Sequence, residues 1–371
     1  MPIVEHSSLP TFRDLRREGQ SVLTLEEARR QDLRPLHVGL LNMMPDAAFQ
    51  VTEQQFMRLV GGSAQPAHFF IHPFTVEGLP RSEATRAYIG RHYEDAASIY
   101  AEGLDALIVT GANVANPRLD EEPFYHPLTQ VIGWAGEHVT SVLCSCLSTH
   151  ALMKFLHRID RRALPRKQWG VYGHRVIVAN HPLLRGVQAH FDVPHSRYNS
   201  ITREQFEEAG FSILVESAEA GVHAAVSDDQ FRRVYFQGHP EYDANSLLKE
   251  YKREVLRYFK GERELPPFPE HYIPEQAAAA IDTYLERAHM AHTAHAELPD
   301  FPEAEVAPLL HNTWAEAARA VFDNWLGLVY QLTNPDRRLP FRDGIDPRRP
   351  LDGLRVGQNT NEGLSKGAQT A

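Results

Sequence analysis

VTSVLCSCLSTHALMKFLH (139–157) is the stretch that decides the fold. Its first half, VTSVLCSC (139–146), is a short apolar run of strand length, and LSTHALMKFLH (147–157) continues at helical period. Cys146 sits at the join. In a parallel sheet, a side chain at such a join stands above the C-terminal edge of the strands, where open α/β folds bind ligands. The helix that follows offers free N–H groups and a partial positive charge, which favour a thiolate. A sharp strand-to-helix turn needs small residues two positions to either side, and Cys144 and Ser148 supply them. The same pattern also describes a small, buried, inert cysteine. The company Cys146 keeps has to separate the two.

Working outward, LHVGLLNMM (36–44), HFFIHPF (68–74) and LDALIVTGA (104–112) are further strands. VTEQQFMRLVG (51–61), a polar helical region before residue 104 and HPLTQVIGWAGEH (126–138) alternate with them. Strands alternating with helices predict an α/β fold, a mostly parallel sheet with helices on both faces. After residue 170 the pattern changes. GHRVIVAN (173–180), FSILVES (211–217) and GVHAAVSD (221–228) suggest added β hairpins at one edge, and RRVYFQGHPE (232–241) a return strand ending at Gly238. Helices are expected over 244–260, with Asp243 as N-cap, and around 273–296 and 313–333, with a proline-bearing linker at 297–308. This organisation divides the chain into an N-terminal arm (1–34), a catalytic domain (35–334) and a disordered tail (335–371). Within the domain, 35–260 is the α/β core and 261–334 the C-terminal helices.

Composition narrows the function. The 371 residues carry a formal net charge of −10, which argues against a nucleic-acid binder. No run reaches the roughly 18 apolar residues of a membrane span. The charged N-terminus is unlike a signal peptide. Two cysteines one residue apart are poorly placed to bridge each other, so the expected compartment is the reducing cytoplasm.

QGHPEYD (237–243) supplies the company. Pro240 biases His239 toward an extended conformation, and extended residues i and i+2 face the same side. Glu241 can therefore fix one imidazole nitrogen and leave the other free, as a general base requires. Alone, the segment reads as a surface turn with a solvated His and Glu. With Cys146 at another strand end of the same sheet, it reads as the rest of a triad. In IVTGANVA (108–115) a strand ends in Gly-Ala, where the backbone approaches a ligand closely. The N–H groups of Gly111, Ala112 and Leu147 are candidates for an oxyanion site.

A cysteine followed by His-Pro-Glu on a later strand is the triad order of class I glutamine amidotransferases. More closely, the chain resembles the homoserine O-succinyltransferase/O-acetyltransferase family, which shares that fold. The resemblance spans about residues 35 to 332. It rests on LNMMP (41–45), VTGA (109–112), TSVLCSC (140–146), KQWGVYGHRV (167–176), PLLRG (182–186), PHSRYN (194–199), AGVHAAVS (220–227), GHPEYD (238–243), EYKRE (250–254) and FDNWLGLVYQ (322–331).

Residue by residue, it implies Cys146 as acyl-thioester nucleophile, His239 as base and Glu241 as its orienter. It implies Lys167, Ser196 and Arg253 as substrate-binding residues. Ala115 falls at the position that sets acyl-CoA choice, small in succinyl-transferring members and Glu in acetyl-transferring ones. The implied partners are L-homoserine and an acyl-CoA, with succinyl-CoA as co-substrate and no other cofactor. The implied assembly is a homodimer and the implied role methionine biosynthesis. Two departures stand out: Leu147-Ser148 follows the nucleophile where the family often has Trp-Gly, and Gly-Ala-Asn stands where Gly-Ala-Pro is usual.

Other motifs take plainer readings. His289, His292 and His295 recur every three residues without an accompanying carboxylate or cysteine, the pattern of a solvated helix end, and no metal is expected. Cys144/Cys146 alone lacks the other two ligands of a zinc site. GVHAAVSD has no phosphate-loop spacing. The rival functions are homoserine O-acetyl transfer, glutamine hydrolysis by the same triad, and a non-catalytic regulator on the same fold.

Overall fold

The computed structural model describes residues 2–352 and 354. Its 11-stranded sheet contains β1 (Ile3–Glu5), β2 (Val22–Thr24), β3 (Arg34–Leu41), β4 (Ala67–Phe74), β5 (Ala106–Val109) and β6 (Ser141–Ser145). It continues with β7 (Arg162–Val176), β8 (His190–Ser200), β9 (Ser212–Ser217), β10 (Gly221–Val226) and β11 (Arg233–Phe236). The order is β2-β1-β4-β3-β5-β6-β11-β10-β9-β7-β8. Pairing is parallel from β2 to β11 and antiparallel from β11 to β8. The predicted parallel sheet with hairpins added at one edge is therefore the observed architecture.

Strand period two sorts the apolar residues onto two faces. Leu36, Val38 and Leu40 of β3, Ile108 of β5 and Leu143 of β6 join Phe56, Val60, Phe322 and Trp325 in one core. Leu107, Val109, Val142 and Cys144 face the other way, among Leu128, Val131, Leu152 and Met153. Helices Phe49–Gly61 and Ala315–Leu332 cover the first face, and Tyr125–His138 and Leu147–His157 the second. A third core forms where Ser246–Phe259 and Glu275–Thr293 pack on Trp169 and Val171 of β7. No helix among the described residues is long and apolar enough to cross a membrane.

Several expectations differ from the structure. Residues 1–34 are no arm: β1 and β2 extend the sheet beyond β4, and Phe12 and Leu15 of the helix Pro10–Arg17 are fully buried. The predicted strand 173–180 begins eleven residues earlier, and its partner β8 carries PHSRYN. Asp243 is not the N-cap of Ser246–Phe259. Asn245 holds that place, and the Asp243 carboxylate accepts from Gln55 and Arg58 instead. The 297–308 linker contains a helical turn, Glu303–Val306.

Residues 335–352, expected in the disordered tail, are ordered against the domain. Arg34 donates to the carbonyls of Tyr330, Thr333 and Asn334, and Arg342 N–H donates to Leu332 O at 3.0 Å. Phe341 is 8% exposed in the first core, with the Arg232 guanidinium 5.4 Å from its ring centre. Residues 353 and 355–371, the rest of that tail, lie outside the described residues.

Among the described residues of this segment, Phe341 is the one buried in the first core, and Ile345 and Leu351 pack beside it only in part. Phe341→Ala should lower the unfolding free energy by about 3 kcal/mol. Urea unfolding should show a shifted midpoint at unchanged slope. A loss below about 0.5 kcal/mol would mean that the segment contributes nothing to the core.

Candidate active site

The sheet register brings three strand ends to one edge. Val109 of β5 pairs with Cys144 of β6, and Ser145 of β6 pairs with Phe236 of β11. The residues just past these ends are Thr110-Gly111, Cys146 and Gln237-Gly238-His239. Cys146 has φ 54° and ψ −108°, a conformation that L-residues avoid and that costs roughly 1–3 kcal/mol. Neighbouring bonds hold it there. Cys146 N–H donates to Phe236 O at 2.8 Å. In the first helical turn, Ser148 Oγ donates to Val109 O at 2.9 Å and Thr149 Oγ1 to Phe236 O at 2.8 Å. The LST sequence thus ties the elbow to the strand on either side.

Gly111 lies against the cysteine: a Cβ there would stand 3.7 Å from Cys146 Cβ. The N–H groups of Gly111, Ala112 and Leu147 have no acceptor among the described residues. Cys144 is different in every respect. It points into the second core, is fully buried, and burial pushes its thiol far up.

His239 and Glu241 meet, but by a turn rather than by extended backbone. Tyr242 N–H donates to His239 O at 3.2 Å, closing the turn over Pro240. His239 Nδ1 donates to Glu241 Oε1 at 2.8 Å, and Ser145 Oγ donates to the same oxygen at 3.3 Å. The imidazole stacks on Tyr242 at 4.3 Å between ring centres, and the Cys146 side chain acts on it electrostatically. Burial alone would disfavour the imidazolium. Negative charge on Cys146 and Glu241 overcomes it and pushes the His239 pKa well above its ordinary value.

The glycine before His239 is required by close approach, because a Cβ on Gly238 would stand 2.5 Å from Val193 Cγ1 and 2.9 Å from His195 Nε2. His195 and His150, the other histidines near this edge, are buried and kept neutral. Burial, reinforced by Arg197, drives His195 well below the ordinary value and His150 to about 3. His195 accepts from Arg197 at Nδ1 and faces His174 Nε2 at 3.2 Å, while His150 Nε2 bonds Gln237 Oε1 at 3.1 Å. Both are committed to the core.

Lys167 and Ser196 converge on a residue that sequence reasoning missed, Glu250. Its Oε2 accepts from Ser196 Oγ at 2.6 Å, Trp169 Nε1 at 3.0 Å and Lys167 Nζ at 3.2 Å. Its Oε1 accepts from Tyr242 Oη at 2.8 Å, and Lys167 Nζ lies 4.0 Å from the Trp169 ring centre. Burial would raise the Glu250 pKa, but the Lys167 charge, the two hydroxyl donors and the His239 charge hold it below the usual carboxylate range. Since Tyr242 touches both His239 and Glu250, the two clusters form one site.

Arg253 follows one turn along the same helix, exposed, with its Nε 3.2 Å from Glu254 Oε1; it makes no bond to the Lys167–Ser196–Glu250 group. The signal for Glu250 was present in EYKRE, where positions 250 and 253 share a helix face. Ala115 is exposed on the loop after β5, and Glu122 Oε1 accepts from both Ala115 N–H and Asn116 N–H at 2.6 Å.

Two thiols in such different settings should react differently. Iodoacetamide followed by peptide mass spectrometry should modify Cys146 and leave Cys144 untouched in the folded protein. His239→Ala should slow that modification by roughly tenfold or more, because the base that would take the thiol proton is gone. Faster labelling of Cys144 would contradict the burial pattern.

Comparison with known proteins places the chain in a family. A family model described as homoserine O-succinyltransferase matches residues 2–335. The homoserine O-succinyltransferase of Methylococcus capsulatus is 56% identical over 352 residues, covering 95% of this chain and 99% of that protein. Its counterpart in Thioalkalivibrio nitratireducens is 55% identical over 356 residues, covering 96% and 100%. Among solved structures, a glutamine amidotransferase from Methylobacillus flagellatus overlaps with a TM-score of 0.46 at 16% identity, covering 80% of this chain and 95% of that one. With a family model spanning most of its length and relatives above half identity end to end, the chain belongs to the homoserine O-succinyltransferase family.

Proposed function

We propose that the protein transfers the succinyl group of succinyl-CoA to the γ-hydroxyl of L-homoserine through a Cys146 thioester. The observation that carries the reading is His239, bonded to Glu241 and coupled in charge to the Cys146 side chain at the neighbouring strand end. Family membership supplies the two substrates.

In the first half-reaction the Cys146 thiolate attacks the thioester carbonyl of succinyl-CoA. The backbone N–H groups of Gly111, Ala112 and Leu147 are suited to the resulting oxyanion. The bond to the CoA sulfur breaks, and the His239 imidazolium gives that sulfur its proton. In the second, neutral His239 takes the proton of the homoserine γ-hydroxyl as its oxygen attacks the acyl carbon. The bond to Cys146 breaks, which restores thiolate and imidazolium. Glu241 keeps Nδ1 protonated throughout, so Nε2 is the nitrogen that exchanges protons.

Homoserine brings an ammonium and a carboxylate. The ionised Glu250 beside His239 suits the first, with Lys167 and Ser196 fixing its orientation. Arg253, one turn away, suits the second once its side chain turns from Glu254. Ala115 leaves room for an acyl chain longer than acetyl, and it carries no charge to repel a second carboxylate.

Three measurements test the reading. Homoserine-dependent release of CoA thiol, with one succinyl group trapped on the Cys146 peptide in a pulse without homoserine, is the expected outcome. Ammonia release from glutamine without thiol release would favour the amidotransferase reaction instead. Arg253→Ala should raise KM for homoserine by roughly tenfold or more, the worth of a charge-assisted contact, with little effect on KM for succinyl-CoA. Equal effects on both would place Arg253 at the CoA. In kcat/KM the wild type should favour succinyl-CoA over acetyl-CoA by at least about tenfold, roughly 1.4 kcal/mol, and Ala115→Glu should erase that preference. A wild type that prefers acetyl-CoA would overturn the choice of donor.

A further inference from the structure

The proposed donor carries a carboxylate at the far end of its acyl group, and neither Glu250 nor Glu241 can receive it. A cation is needed on the acyl side of Cys146. Arg161, just before β7, reaches the loop that follows Ala115: its Nη2 donates to Asn116 O at 3.3 Å and Pro117 O at 3.4 Å. Its Nε–H is buried and has no acceptor among the described residues. No carboxylate among them lies within ion-pair distance of it. Glu122 is the acidic residue whose charge it feels first, and one oxygen of that carboxylate is already engaged by the Ala115 and Asn116 N–H groups.

A half-buried guanidinium with unspent donors and no contact carboxylate is an unfinished arrangement. Burial disfavours its charge, whereas Glu122 and the Cys146 sulfur favour it, so Arg161 lies within electrostatic reach of the nucleophile. The geometry of the donors matters as much. The orphan Nε–H stands beside Nη2, and this side-on edge matches the two oxygens of a carboxylate once Nη2 gives up one of its two loop carbonyls. An extended succinyl group on Cys146 places its terminal carboxyl carbon about 5–6 Å from the sulfur. A cation on the acyl side at about that distance from the sulfur would meet the carboxylate.

We infer that Arg161 receives the distal carboxylate of the acyl group, using Nε–H and Nη2–H as a fork beside the Ala115 loop, and so selects a dicarboxylic acyl donor. The inference rests on the acyl-transfer reading above. Ala115 then acts by leaving space, and Arg161 by supplying the charge.

The test compares succinyl-CoA with butyryl-CoA, which has the same carbon chain without the carboxylate. In the wild type kcat/KM should favour succinyl-CoA. Arg161→Gln should lower the succinyl-to-butyryl ratio by at least about tenfold, a lost charge-assisted contact. Arg161→Lys, which keeps the charge without the fork, should fall between. If Arg161→Gln does not fold, Arg161→Lys decides, and an unchanged ratio overturns the inference. An equal loss with both donors also overturns it, by moving Arg161 to the CoA moiety or to the fold. If the wild type releases no thiol from either donor with homoserine, the acyl-transfer reading has failed. If it does so and the variants keep its preference, only the role of Arg161 has failed.

Discussion

One hydrogen bond organises the site: Cys146 N–H on the carbonyl of Phe236. It crosses from the end of β6 to the end of β11 and fixes the cysteine in a backbone conformation that L-residues avoid. With φ held at 54°, the chain turns abruptly from strand to helix, and the side chain is presented at the sheet edge instead of continuing the alternation into a core. Cys144, two residues earlier, shows the alternative, since it follows the alternation and is lost in the second core. Ser148 and Thr149 spend their hydroxyls on the same strand ends, so the strain at Cys146 is opposed by bonds on both sides. The pleat of β6 and the register with β11 together determine which thiol is available.

The charges near that thiol balance in sequence. Glu241 and Cys146 favour the imidazolium of His239, and the His239 charge in turn helps keep Glu250 ionised. Tyr242 mediates this physically, stacking on the imidazole while its hydroxyl bonds Glu250. Beneath them His174, His195 and His223 form a neutral layer, burial and the Arg197 charge disfavouring protonation of all three. Their ring nitrogens are occupied with one another, with Arg197 and with the Gly238 N–H, so they set the floor of the site and leave proton exchange to His239.

The parts of this arrangement that were legible in the sequence are those with local periodicity or fixed chemistry. β3, β4, β5 and β6 are apolar runs buried on both faces, and Cys146 and His239 fall at strand ends that any parallel reading aligns. The edge strands β1 and β2 were not legible, because three-residue strands flanked by charge become strands only by pairing with β4 and each other. The segment after residue 335 has no periodicity for a similar reason: side-chain bonds of Arg337 and Arg342 and the packing of Phe341, Ile345 and Leu351 hold it, and none of these is a repeat. Glu250 looked like one more charge on an amphipathic helix. Only the β7–β8 hairpin, which sets Trp169 opposite Ser196, turns it into a buried acceptor.

Sheet order also explains how one thiol can serve two chemically different partners. β5 lies on one side of β6 and β11 on the other. The loop after β5 carries Gly111, Ala112 and Ala115, and Glu122 and Arg161 bind that loop from outside. The turn after β11 carries His239 and Glu241, and Tyr242 joins it to Glu250, Ser196 and Lys167. On the proposed reading the acyl group lies on the β5 side and the amino acid on the β11 side, with Cys146 between. Each side then holds the charge its ligand lacks: a guanidinium toward the acyl carboxylate, a carboxylate toward the amino-acid ammonium. A like charge would be costly in a partly dry site, so the carboxylate of Glu250 disfavours the acyl carboxylate on the β11 side. The acyl carboxylate is therefore directed to the β5 side by the charges on both sides of Cys146.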